Sequence, residues 1–170
     1  MTAPGTPAPA SLQTFRTLAW SLMGALVVLG AALVFVYDGR LGEEPELWTG
    51  AVVVIAAVVL LTLIGAVGYR TAAIVAGTPE EQARTTSLRA FQTALILRFA
   101  LCEPIVLIAL VLGFVTDQGG FLLYVVGVAV AAPGMYVHVL PSERAVARIQ
   151  ESLEREGGLS YLRQALGADA

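Results

Sequence analysis

The sequence predicts an all-α fold: a four-transmembrane-helix bundle with a long third helix and a short amphipathic C-terminal helix. Three observations predict it. Hydrophobic residues make up 57% of the 170-residue chain and charged residues only 14%. Mean hydropathy is +0.78, well away from the balance of a soluble domain. Four separate apolar stretches each hold 20 to 22 residues, enough to cross a hydrocarbon core about 30 Å thick at about 1.5 Å per helical residue. Each stretch ends at polar or turn-forming residues, and lipid leaves a helix as the only way for such a segment to satisfy its own backbone.

Residues 1–15 are mostly Pro, Ala, Thr and Ser, too poor in apolar anchors to offset chain entropy, and are expected to form a disordered cytoplasmic tail. The transmembrane domain is expected over residues 16–141 and a cytoplasmic amphipathic tail over 142–170. The first membrane helix spans Leu18 to Tyr37 and stops at Asp38-Gly39-Arg40. Its length, the weak basic leader and the lack of a small-residue cleavage pattern mark it as a retained helix and not a signal peptide. The second spans Trp48 to Tyr69 and ends at Arg70.

Gly77-Thr78-Pro79-Glu80-Glu81 is a helix stop followed by a helix start. Thr78 is placed to cap, Pro79 suits the first helical position, and the two glutamates favour the positive end of the helix dipole. The third helix is therefore expected to run from Pro79 through its membrane portion, Leu95 to Val115, a length of about 55 Å. Its first four turns, with Arg84 and Arg89, would form a solvated projection meeting lipid headgroups or, alternatively, a docking surface for a soluble partner. The fourth membrane helix spans Phe121 to Leu140. Ser142 then caps a helix from Glu143 to Glu156, closed by Gly157-Gly158. Val146, Ile149 and Leu153 form one apolar stripe on it, suited to the membrane surface or the underside of the bundle. Leu159, Leu162 and Leu166 continue the stripe. Ser21 with Ala25, and Gly127 with Ala131, are spaced for close helix approach.

All ten basic residues are arginine. Arg16, Arg70, Arg84, Arg89, Arg144, Arg148, Arg155 and Arg163 fall on one side, and Arg40 alone on the other, beside Asp38, Glu43, Glu44, Glu46 and Asp117. The bias towards basic residues in cytoplasmic loops puts both termini in the cytoplasm. Arginine without lysine, amid abundant alanine and glycine, favours a bacterial plasma membrane.

One carboxylate lies well inside the apolar zone. Glu103 is twelve residues from Val115, about 18 Å from the outer edge, where a lone charge is costly; it is expected to be neutral, paired, or turned to a cavity or another protein surface. Arg98 lies near the inner boundary and can extend to the headgroups. Five residues separate it from Glu103, which places the two about 140° apart around the helix and argues against an intrahelical pair. Pro104 and Pro133 are expected to kink the third and fourth helices at matched depths. Thr62 falls at a similar depth and Tyr136 and His138 one to two turns nearer the cytoplasm, so Glu103 with these three could form a small polar pocket. Cys102 reads as a packing residue.

One cysteine and one histidine make a metal site within one chain improbable. No phosphate-cradling loop, catalytic triad or cofactor attachment motif is present, so neither an enzyme nor a cofactor is expected. A net charge of −3 argues against nucleic acid as a partner. The lipid bilayer is the expected surrounding, with a second copy or another membrane subunit as the expected partner. Two function classes stay open: a structural or accessory subunit in which Glu103 is a buried helix–helix contact, and a proton- or ion-coupled component in which Glu103 titrates.

The stretch Thr93-Ala-Leu-Ile-Leu-Arg-Phe-Ala-Leu-Cys-Glu103-Pro-Ile-Val-Leu-Ile-Ala-Leu-Val-Leu resembles the carboxylate-bearing helix of rotary ATP synthase c subunits. That likeness implies proton or sodium binding at Glu103. The preceding helix, with Gly65 and Gly68 but no tight glycine repeat, departs from that family. The whole arrangement resembles small uncharacterised bacterial four-helix membrane proteins in its Arg98-x4-Glu103 pattern and in Pro141-Ser142-Glu143-Arg144. This second resemblance implies a fold and a location, and no activity.

Overall fold

A computed structural model describes residues 12–167. Six helices follow in order: α1 (Leu12–Val36), α2 (Leu47–Val67), α3 (Glu80–Thr116), α4 (Gly120–His138), α5 (Glu143–Glu154) and α6 (Leu162–Ala165). The first four are long and apolar enough to cross a membrane. Most of the N-terminal segment expected to be disordered lies outside the described residues. Leu12 to Phe15 of that segment, however, already form the start of α1.

The long third helix organises the molecule. It packs against α4, α2 and α1 along the bundle, and against α5 and α6 at one end. Its inward face carries Phe91, Leu95, Cys102, Ile105 and Ala109, all fully buried, at the spacings of three and four that put side chains on one helical stripe. Small residues bring α4 close: a methyl group on Gly127 would sit 2.6 Å from Cβ of Ala109. Gly127 and Ala131 are thus buried packing residues, whereas Ser21 and Ala25 lie exposed on α1. The outward faces are aliphatic, with Val27 72%, Val58 61% and Ile55 62% exposed. For a bilayer-embedded chain such faces meet lipid tails and incur no hydrophobic penalty.

At one end the tail closes over the bundle. The Leu12 N–H donates to the Leu166 carbonyl at 3.1 Å, and the Ile74 N–H donates to the Leu153 carbonyl at 2.7 Å. The Ser87 hydroxyl donates to the Ser160 carbonyl at 2.7 Å, while the Phe15 and Phe91 rings meet edge to face. Val146, Ile149, Leu153, Leu162 and Leu166 are all buried, so the amphipathic stripe of α5 packs on the bundle. The projecting turns of α3 are consequently solvated on one face only: Ala83, Ser87 and Phe91 are covered, whereas Glu81, Thr85, Thr86 and Arg89 are exposed. A further correction concerns Thr78. Its hydroxyl donates to the Val75 carbonyl, closing a turn, and Pro79 occupies the N-cap of α3 without a side-chain cap. Ser142 does cap α5, accepting from the Ala145 N–H at 3.3 Å.

At the opposite end Arg40 joins the two loops. Its Nε donates to Glu43 at 2.8 Å and its Nη1 to Asp117 at 2.7 Å. The α3–α4 connection turns through left-handed Asp117 and Gly119, and Gly119 lies so close to the Pro45 backbone that no side chain fits there.

Candidate functional site

The site begins with one position on the inward stripe of α3. Spaced three or four residues from Leu95 and Cys102, Arg98 points into the bundle and is fully buried. The expectation that it reaches the headgroups is therefore corrected: the helical phase that buries its apolar neighbours buries Arg98 with them. Its Nε donates back to the Ala94 carbonyl at 3.0 Å. Nη1 and Nη2 are buried without a hydrogen-bond partner among the described residues.

Tyr69 compensates part of that burial. It sits just past the end of α2, and its ring centroid lies 4.7 Å from the Arg98 guanidinium carbon, within the range of a cation–π contact, which strengthens as water is excluded. Gly68 makes this approach possible, since a methyl there would fall 2.8 Å from Cγ of Arg98. The Tyr69 hydroxyl lies 2.9 Å from Nδ1 of His138 at the end of α4. Arg148 of α5 places its guanidinium carbon 5.1 Å from the same ring. Four elements thus converge on one phenol.

Two guanidinium groups and one imidazole surround Tyr69, and among the described residues no carboxylate is hydrogen-bonded to any of them. Arg70, Arg98 and Arg148 make no ion pair among the described residues. Beside the cluster an open groove of about 490 Å³ runs between the end of α2 and α5, lined by Gly65, Ala66, Tyr69 and Arg70 on one side and by Arg148, Glu151, Ser152 and Arg155 on the other. Chemically the arrangement is electropositive, and a fork of donors such as arginine suits the oxygens of an anion.

Glu103 is not part of it. Offset by about 140° from Arg98 on the same helix, its side chain is half-buried at the outer surface of the bundle and makes no hydrogen bond or ion pair within the described chain. The polar pocket expected from Glu103, Thr62, Tyr136 and His138 does not form. Thr62 is exposed and its hydroxyl donates to the Val58 carbonyl one turn back, Tyr136 is 65% exposed, and His138 is engaged by Tyr69. Similar depth along three helices is not similar azimuth, and here the faces diverge. Pro104 and Pro133 lie inside helices that continue through them. Cys102 is a fully buried packing residue.

Tyr69 and Arg148 were not singled out by the sequence, where one is the last residue of the second apolar span and the other a tail arginine. The available signal was Arg98: an arginine in phase with the apolar stripe of its helix needs an aromatic or polar partner on a neighbouring element. No family model, curated protein or solved structure matches the chain. The resemblances to c subunits and to small bacterial four-helix proteins therefore rest on the quoted motifs alone.

Proposed function

We propose that this chain is a structural or accessory subunit of a membrane assembly, joined to its neighbour through the outer face of α3 centred on Glu103. In this reading it is a multi-pass protein of a bacterial plasma membrane, and the end that carries α5 and α6 is cytoplasmic. The supporting observation is the setting of Glu103. Ile96, Ala100, Leu107, Val111 and Phe114 are exposed on the same face, spaced by threes and fours so that Glu103 falls at the middle of a continuous apolar stripe. Insertion scales put a charge at a helix centre about 2.5–3.5 kcal/mol uphill. An interhelical hydrogen bond returns about 0.6–2 kcal/mol. A carboxyl in the middle of a lipid-facing stripe is therefore best accommodated when another helix covers it.

Single-cysteine cross-linking in native membranes tests the proposal, with Cys102 first replaced by alanine. Leu107→Cys, beside Glu103, should form a cross-linked species, and Val58→Cys, the more exposed of the two and on α2, should not. Glu103→Gln should preserve the cross-link and Glu103→Leu should weaken it. Equal cross-linking at both positions would overturn the α3 interface. A proton flux abolished by Glu103→Gln, with the cross-link unchanged, would replace an assembly role with a titrating one.

A further inference from the structure

The groove beside Tyr69 has no role in the interface proposed for α3, which lies on another helix face. We propose that this groove is a binding site for the phosphate headgroup of an anionic membrane lipid, held by Arg70 and Arg148 against a floor of Gly65 and Ala66.

Three independent observations point there. The first is an excess of positive charge: Arg70, Arg148 and Arg155 line the groove against one acid, Glu151, and among the described residues Arg70 and Arg148 make no ion pair, while Arg98 is buried against Tyr69. An anion balances that excess, and a phosphodiester offers oxygens that match guanidinium forks. The second is shape. The floor is built of Gly65 and Ala66, and nothing lies within 4 Å of where a Gly65 side chain would begin, so the space is open down to the backbone of α2. The third is continuity with the apolar surface. Ile55, Val58, Val59 and Thr62 lead along one exposed face of α2 to Gly65, Ala66 and Tyr69. A headgroup in the groove can therefore lay its acyl chain on that face, a path that free phosphate does not use. Basic pockets at the membrane boundary are known to take lipid headgroups by this combination of charge and hydrocarbon contact.

The test uses the full chain purified in detergent, with dioleoyl phosphatidylglycerol, dioleoyl phosphatidylcholine and inorganic phosphate as probes, read as retained lipid by native mass spectrometry and as a shift in Tm. Phosphatidylglycerol should bind in preference to phosphatidylcholine. Arg70→Gln with Arg148→Gln should lower that binding by about tenfold or more, the scale expected when two interfacial arginines are lost. Arg89→Gln, which removes an arginine at the same end away from the groove, should leave it nearly unchanged. Gly65→Leu keeps every charge and fills the floor, and should also lower it. Equal loss with Arg89→Gln would overturn the proposal in favour of diffuse surface attraction. Binding unaffected by Gly65→Leu would remove the groove from it, and inorganic phosphate stabilising the chain as well as the lipid does would show an anion site with no lipid preference.

Discussion

The guanidinium carbon of Arg98 lies 4.7 Å from the centroid of the Tyr69 ring, so the most deeply buried cation of the bundle rests on an aromatic face and not on a carboxylate. The hydroxyl of the same ring reaches His138. Tyr69 thus has two separable contributions. Tyr69→Phe should cost about 1 kcal/mol through loss of the hydrogen bond. Tyr69→Leu should cost a further 1–2 kcal/mol or so, because the buried cation loses its aromatic support. Thermal unfolding of both variants in one detergent measures the difference; equal losses would show that the ring face contributes nothing.

Gly68 and Gly65 make a matched pair of probes three residues apart. A methyl on Gly68 would press on the stem of Arg98 at 2.8 Å, whereas one on Gly65 meets open space. Gly68→Ala should destabilise by about 1–3 kcal/mol, as overpacking does. Gly65→Ala should be neutral or slightly stabilising, since alanine is the better helix former by about 1 kcal/mol. Denaturation midpoints compare them directly.

Docking of the tail should weaken in acid through Glu154. Burial alone would raise its carboxyl pKa, but the Ser160 hydroxyl and N–H, with the Gln150 amide, donate to it and hold it below its ordinary value. A depressed folded value stabilises above the unfolded value near 4.5 and is lost as pH falls through the folded one. Glu154→Gln should cost about 1 kcal/mol, after allowance for solvent screening of a half-exposed group. Amide exchange over residues 157–167 should quicken in that variant at neutral pH, and in the parent chain only as pH falls below the ordinary glutamate range.

At the other end Arg40 bridges Glu43 and Asp117. Its hydrogen bond, ahead of the opposing effect of desolvation, lowers the Glu43 pKa. The pair is thus complete above the ordinary glutamate range and is released as pH drops through the lowered value. Arg40→Gln should speed proteolysis within the 38–46 loop and remove its acid dependence. Retained acid dependence in that variant would assign it to another group.

The four spans, their order and the capped amphipathic α5 were legible because each rests on a local rule: enough apolar residues to cross lipid, and a stripe repeating every three or four residues. The angle between Arg98 and Glu103 was equally legible. Five residues of helix place them on different faces whatever surrounds them, so burying one turns the other outward. Which of the two is buried was not legible, because that depends on where α2 and α4 lie. The packing of α4 on Ala109 through Gly127, and of α2 through Gly68, turned the Arg98 face inward. The chain alone determined that a cation and an acid would share one membrane helix. Only the tertiary structure decided that Tyr69, His138 and Arg148, drawn from three other elements, would gather at the cation and leave Glu103 on the outer face, since such convergence is a property of helix azimuths and close approaches that no single segment encodes.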